Sequence, residues 1–464
     1  MFSRLFIANR GEIAVRVVRC CRELSIESIV AFSEADRDSL AVKMADHAVC
    51  IGPAVSSKSY LNIPNIVQAA LLTGAEAIHP GAGFLAEDPR LAEVCERYGL
   101  VFIGPPGHVL RAVGEKTLAK QRMRAAGLPV IAGTDNPVRS VDQALAAAKE
   151  IGYPIMLKPA GGGGGKGMRI VTDSDELERS FPLSQSESLA SFNNDGIYLE
   201  RYQEGMRHVE VQVLADHFGN VITLGERNCS VQRFHQKLIE EAPSPNLPEW
   251  ARQELWESAV RGARAIDYIG AGTFEFLVDE EHHHYFLEIN KRIQVEHPVT
   301  EAITGIDLVK AQLTVAAHEP LPWRQEDVTF HGHAIECRVN AEDPTYNFQA
   351  QTGRVSEYLP PGGPGIRVDS HLYAGYVVSP YYDSLLSKVI AWGSTRTEMV
   401  ARALRALDES IIGGITTNRE FLRWILTTRE FTNGTLTTQF VTTVLRDGLP
   451  PTSLGGIGMS PVEG

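Results

Sequence analysis

Two segments near the middle of the chain demand a sheet with one apolar face and one charged face. Ala271 to Asp279 reads AGTFEFLVD, and Phe286 to Glu301 reads FLEINKRIQVEHPVTE. Alternate side chains of a strand share a face. Phe274 and Phe276 therefore lie on one side of the first segment and Glu275 on the other. In the second, Glu288, Asn290 and Arg292 project together while Ile289 and Ile293 face away. A short polar turn joins the segments into a hairpin that can set Glu275 opposite Glu288. Converging carboxylates repel and raise each other's pKa unless a cation neutralises them. The pattern predicts a divalent-ion site in which Glu275, Glu288 and Asn290 offer oxygens to a hard ion such as Mg²⁺, which commonly shares its shell with substrate phosphates. Arg292 is placed to grip a carboxylate-like or phosphate-like anion in a bidentate fork. Glu296 and His297 follow as proton acceptors. A solvated edge strand with scattered charges is the plainer alternative for this segment. His282, His283 and His284 do not make a zinc site, because three consecutive residues at a hairpin tip cannot all face one ion and no cysteine or carboxylate is spaced to help.

A length of 464 residues suggests about three domains. The formal charge of −13 argues against nucleic acid, whose binders carry a basic footprint. Anionic substrates must then be held by local clusters of Lys and Arg. The six cysteines form no CxxC motif and fit reduced thiols in the cytosol. The chain shows no signal-peptide pattern, and no run of 18 apolar residues that would span a membrane.

The first hundred or so residues alternate strand and helix. Strands are expected at Leu5 to Ala8, Ser28 to Phe32, Ala77 to His79 and Val101 to Gly104, with a helix opening at Gly11-Glu12. This βα alternation predicts a parallel sheet that binds ligands at the carboxyl ends of its strands. Asn9 to Glu12 and His79-Pro80-Gly81 sit at such ends, where each could equally be a tight turn. A hinge is expected near Gly127-Leu128-Pro129. The next unit holds a helix at Val141 to Ile151 and strands at Pro154 to Lys158 and Arg169 to Val171. Between those strands, Gly161 to Gly165 precede Lys166 and Gly167. Such a run cannot pack a core and costs much ordering entropy. Tightly flanked by strands, it resembles a lid over nucleotide phosphates more than a linker, and it lacks P-loop spacing. A meander through Val209 to Leu214 and Val221 to Glu226 leads to the basic tract Arg233, His235 and Lys237. A strand is expected at His333 to Asn340, with Glu336 and Arg338 alternating outward, and helices at Arg396 to Leu407 and Arg419 to Thr427. No internal repeat is present. The Gly/Pro/Ser-rich residues 451–464 are expected to be disordered.

Taken in order, IANRGEIAVRV (Ile7 to Val17), HPGAGFLAED (His79 to Asp88), KPAGGGGGKGMR (Lys158 to Arg169), RHVEVQVLAD (Arg207 to Asp216), QRFHQKLIEEAP (Gln232 to Pro243), the Phe286 segment and ECRVNAEDP (Glu336 to Pro344) resemble the biotin carboxylases. These are ATP-grasp enzymes of acyl-CoA and 2-oxo-acid carboxylases, and the resemblance runs from Phe2 to about Leu445. It implies an α/β protein: an N-terminal dinucleotide-fold domain (1–127), an ATP-grasp lid (134–204) and a C-terminal α+β catalytic region (205–445). It further implies that Lys116, Lys158 and His208 contact ATP phosphates, with Gly163, Gly164 and Gly165 closing above them. Glu200, Gln232 and His235 would contact the rest of the nucleotide, and Glu275 would serve both ATP and metal. Glu275, Glu288 and Asn290 would hold Mg²⁺, with Mn²⁺ able to substitute. Lys237, Arg292, the backbone of Val295 and Arg338 would bind bicarbonate, and Glu296 would be the general base. Biotin would arrive as a substrate on a separate carrier protein, since none of the eight methionines sits in an Ala-Met-Lys-Met biotinylation turn. The implied partners are that biotin carboxyl carrier protein, a carboxyltransferase subunit, and a second copy of the chain through Arg19, Glu23 and Arg367. Pro364 stands where a bulkier interface residue is sometimes found.

Departures from the family pattern leave the metal and bicarbonate residues themselves intact. Ala82 stands where Tyr is usual, Lys291 where a small residue or proline is usual, Gln351-Thr352-Gly353 for Ser-Pro-Gly, and Asn228 for Asp. Another ATP-grasp ligase would keep Lys116, Lys158, Glu275 and Glu288 but would not need Lys237, Arg292, Glu296 and Arg338 together. A silent regulatory homologue is favoured only by Ala82. An aromatic ring at that position would supply about 1–3 kcal/mol of apolar burial, or roughly tenfold to a hundredfold in affinity. Ala82→Tyr should lower the Michaelis constant for free biotin and leave that for ATP in place, as steady-state assays with each substrate varied will show.

Overall fold

The computed structural model describes residues 1–160, 167–192, 194–234 and 236–447. Near its start, β1 (Arg4–Ile7), helix α1 (Gly11–Glu23), β2 (Glu27–Ser33), β3 (His47–Gly52), β4 (Ala77–His79) and β5 (Val101–Phe102) alternate along the chain. The strands form a parallel sheet in the order β3-β2-β1-β4-β5. Their continuous apolar runs follow from burial on both faces. Leu5 and Ile7 enter one core cluster, while Phe6 between them enters another. Strand β3, at the sheet edge, also carries an apolar run from Ala48 to Ile51, but it is half-exposed.

Strand order reverses beside β1, so the ends of β1 and β4 open the crevice in which such sheets bind ligands. Asn9 closes its floor by donating to the carbonyls of Pro80 (2.6 Å) and Ala82 (2.9 Å). Gly81 has a φ of +65°, and a Cβ there would lie 2.7 Å from the Asn9 amide, so only glycine serves.

The second sheet is antiparallel, in the order β7-β6-β8, from β6 (Ile155–Pro159), β7 (Arg169–Val171) and β8 (Ile197–Arg201). Helices Val141–Ile151 and Ser174–Phe192 cover it, placing Ala144, Ala148, Leu177 and Phe181 against Ile155, Leu157 and Leu199. The expected glycine lid at Gly163, Gly164 and Gly165, His235 and the expected disordered tail at 451–464 lie outside the described residues.

The third sheet carries the charged face anticipated above. Its strands β9 (Arg207–Ala215), β10 (Val221–Arg233), β11 (Gln236–Ala242), β12 (Gly270–Val278), β13 (His284–Asn290) and β14 (His333–Asn340) join Ile366–Ser370 and Leu385–Gly393 in one eight-stranded sheet. The order is β13-β12-β9-β10-β11-β14, then Leu385–Gly393, then Ile366–Ser370, every neighbour antiparallel. Val209, Val211 and Val213 pack with Phe274, Phe276 and Phe286 on one face of β9, β12 and β13, beneath helix Glu249–Ala265. Their alternate neighbours fill the other face with polar groups.

Two expectations need correction. The strand expected through Ile293 ends at Asn290, because the Lys291 amide donates to Glu87 (2.7 Å) instead of continuing the ladder. Glu336 and Arg338 do share a face, but it is not outward: Glu336 is wholly buried, on a strand that helix His297–Thr304 packs against. The three histidines diverge at the hairpin tip. His282 lies edge-on to Trp250, His283 faces Asp279, and buried His284 meets Ser258. Among the described residues no helix is long and apolar enough to cross a membrane.

Phe274 is fully buried between Tyr268 and Phe286, with ring centroids 6.4 and 6.5 Å away. Phe274→Ala should cost about 3–5 kcal/mol, read as a lower urea midpoint with little change in slope.

Candidate active site

The registers of the third sheet align Glu288 with Glu275, Glu275 with Glu210, and Glu210 with Arg227 in one row across four strands. Like charges directly opposite each other destabilise a sheet unless countered. Countercharge comes from two cations, the half-buried Lys237 and the fully buried Arg227. Lys237 donates to Glu210 Oε2 (2.5 Å), Glu275 Oε1 (3.0 Å) and Glu296 Oε1 (2.6 Å). Arg227 donates to Glu210 Oε1 (2.6 Å) and Gln294 Oε1 (2.6 Å), and also to Gln212, Thr273 and Thr300. Burial alone would raise the Glu275 pKa, but Lys237 and His208 pull it well below the usual carboxylate range. His208 Nε2 stands 2.9 Å from Glu275 Oε2, and the Asn290 amide donates to Glu275 Oε1 at 2.6 Å.

This oxygen set fits a hard divalent cation. Glu275 and Glu288 face each other across the hairpin, and the Asn290 carbonyl oxygen lies beside them, accepting from Arg292 Nη2 at 3.1 Å. Lys116 reaches Glu288 Oε2 at 2.7 Å. The carboxylates are thus matched by exchangeable cationic partners whose places a metal ion can take.

Glu296 stands beyond the hairpin, as expected. It is 2 % exposed, and besides Lys237 it accepts from Arg338 Nη2 at 2.8 Å. Burial pushes its pKa up, yet Lys237, Arg338 and Arg227 draw it well below the ordinary value. Arg338 is also paired with Glu240, which lies directly opposite Glu336 in the sheet. Burial drives the Glu336 pKa well above the usual range. Arg292 sits 3.8 Å from Glu87. The Val295 carbonyl accepts from Lys388, and Gln232 lies opposite Lys237 in the β10–β11 register.

Lys158 ends its strand facing β8, where Glu200 takes an ion pair from both Lys158 and Lys120. Burial opposes the charged carboxylate, but the two lysines bring Glu200 down to about 2. Lys158 and Glu200 therefore meet, while Lys116 joins the metal-type carboxylates on the other side.

Family comparisons agree with this arrangement. Residues 1–110 match the biotin carboxylase N-terminal domain, 115–324 the ATP-binding domain of the carbamoyl-phosphate synthase L chain, and 336–443 the biotin carboxylase C-terminal domain. Biotin carboxylase 1 of Bacillus subtilis is 51% identical over 444 residues, covering 96% of this chain and 99% of that protein. The chain belongs to the biotin carboxylase family. The biotin carboxylase of Pseudomonas aeruginosa is 53% identical over 421 residues, covering 90% of this chain and 93% of that one. Among solved structures, the biotin carboxylase domain dimer of Hydrogenobacter thermophilus 2-oxoglutarate carboxylase, in complex with MgADP, ADP and bicarbonate, superposes with a TM-score of 0.92 at 45% identity, covering 96% of this chain and 98% of that one. Biotin carboxylase from Campylobacter jejuni, in a β,γ-ATP complex, gives the same TM-score and identity, with 96% and 99% coverage. Biotin carboxylases are ATP-dependent ligases that use ATP, Mg²⁺ and biotin, and this one has a role in a biotin-dependent carboxylase.

Three central groups escape a reading of motifs alone. Glu210 was within reach, since the alternation His208, Glu210, Gln212 marks a polar face of β9. Lys120 lies one helical turn beyond Lys116. Arg227 is interior to a long, almost wholly buried strand, and its partners come from four other segments. Arg227→Met leaves Glu210 buried without its guanidinium, which should cost about 3–5 kcal/mol. Adding Glu210→Gln should recover much of that loss in chemical denaturation.

Proposed function

We propose that the site carboxylates biotin in two stages, with Glu296 as the base. Bicarbonate takes the place between Lys237, Arg292 and Arg338, with the Val295 backbone beside it. Lys237 and Arg338 keep Glu296 ionised before substrate arrives. Once the bicarbonate anion occupies those cations, their pull on Glu296 weakens and its basicity recovers. The proton of bicarbonate passes to Glu296, an oxygen of the carbonate attacks the γ-phosphorus of ATP, and ADP leaves. The resulting carboxyphosphate divides into CO₂ and phosphate. Phosphate takes the ureido N–H proton of biotin, Arg338 stabilises the enolate, and the nitrogen attacks CO₂. Phosphoryl transfer is mostly positioning and charge neutralisation, and water must be kept from so unstable an intermediate. The observation that carries this reading is the buried Glu296 carboxylate clamped between Lys237 and Arg338 beside the Glu275–Glu288 pair.

In this reading Lys116, Lys158, His208, Gln232, Glu200 and Glu275 serve ATP, together with Gly163 to Gly165 and His235. Glu275, Glu288 and Asn290 would hold Mg²⁺, which supplies charge neutralisation for the phosphates. The division at 1–127, 134–204 and 205–445 belongs to the same reading. Biotin is presented on a separate carrier protein, and a carboxyltransferase, as in acetyl-CoA carboxylase, passes the carboxyl group on. A cytosolic setting accords with six free cysteines, five of them buried. Homodimerisation is supported by Arg19, Glu23 and Arg367, which line one groove of about 370 Å³ with Arg16 and Asp307. The biotin carboxylase domain of Hydrogenobacter 2-oxoglutarate carboxylase is a dimer.

Glu296→Ala should abolish bicarbonate-dependent ATP cleavage by about 10²–10⁴-fold while nucleotide binding survives. Glu288→Ala should weaken ATP binding and turnover together, because Glu288 would help to hold the Mg²⁺ that would neutralise the phosphates. Calorimetry with Mg²⁺ and a steady-state ATPase assay separate the two. Unaltered bicarbonate-dependent turnover in Glu296→Ala would remove its role as base.

A further inference from the structure

Lys388 lies at the centre of Leu385–Gly393 and is 0% exposed. The sheet registers set it between Arg338 on one side and Asp369 on the other. Burying an ammonium is costly unless it is well paired. Its nearest acceptor is not a carboxylate but a main-chain oxygen, the carbonyl of Val295, at 2.7 Å. Glu12 Oε2, from the first turn of α1, is 3.1 Å away, and Asp369 Oδ2 is 3.9 Å away. Asp369 is more closely held by Arg367, at 2.7 Å.

The Val295 carbonyl belongs to the peptide that enters Glu296. A peptide is planar, so holding that oxygen restrains the plane and, with it, the Glu296 Cα. The preceding residue is pinned from the opposite side, where Gln294 accepts from Arg227 and donates to Glu275. Next, His297 Nδ1 closes on the Gln294 carbonyl at 2.7 Å. The loop is therefore held at Gln294 by Arg227 and at Val295 by Lys388.

We propose that Lys388 is a positioning residue for the bicarbonate step: it anchors the Val295–Glu296 peptide and so sets the base against its substrate. Glu12 and Asp369 serve Lys388 by making its burial tolerable. The inference rests on the proposed role of Glu296.

Lys388→Met combined with Glu12→Gln removes the cation and its carboxylate partner together, leaving no bare charge from that pair. Bicarbonate-dependent ADP release with free biotin should then show KM for bicarbonate raised about tenfold or more, with KM for MgATP held within about twofold. Glu12→Gln alone keeps the amine on Val295 and should leave KM for bicarbonate within about threefold of the unmodified enzyme. If the Met form does not fold, Lys388→Gln with Glu12→Gln is read by the same criterion. Both constants unchanged, or both raised in equal proportion, would overturn the inference and make Lys388 a stability residue. Glu296→Ala is run in parallel: if it keeps bicarbonate-dependent turnover, the failure belongs to the assignment of the base rather than to Lys388.

Discussion

One ammonium group holds the centre of this molecule together. Lys237, projecting from β11, binds Glu210 on β9, Glu275 on β12 and Glu296 in the loop beyond β13. Two unit charges 4 Å apart interact by about 4 kcal/mol at an effective dielectric constant near 20. Three carboxylates without a cation would force these elements apart. With Lys237 among them, the same charges draw three strands and a loop to one point. Arg227 does the equivalent for the far end of the row, joining Glu210 to Gln294 and Thr300.

The charged face exists only because the other face pays no such penalty. Val209, Val211, Phe274 and Phe276 alternate with His208, Glu210 and Glu275, and a register shift between Glu275 and Phe276 lets Phe286 join the apolar face while Glu288 stays opposite Glu275. Apolar packing thus sets the register, and a one-residue slip would exchange the two faces.

Much of this was legible in the chain. The β12–β13 hairpin could be read from alternation, and it does place Glu275 opposite Glu288. The helix at Val141–Ile151 and the strand at His333–Asn340 fall where their patterns put them. Arg227, Lys120 and Lys388 were not legible as site groups, because each acquires its role from partners distant in sequence. Arg227 needs strand registers to bring it to Glu210, and Lys388 needs α1 to bring Glu12 to it. The end of β13 at Asn290 was equally hidden, since Glu87, some 200 positions earlier, takes the next amide. Glu336 shows the same limit: a strand pattern says which residues share a face, not whether another element covers it.

The lysines that would meet phosphate are already partnered within the protein. Lys116 holds Glu288, and Lys158 shares Glu200 with the neighbouring Lys120. A bare anion must displace a tethered carboxylate to reach any of them, and it leaves that carboxylate stranded. At Lys116 a nucleotide that brings its own divalent cation would settle both sides at once: its phosphates would accept the lysine, and the freed Glu288 would help to hold the cation. On the proposed function, the Lys116–Glu288 pair would favour a ligand that carries both signs of charge over a simple salt.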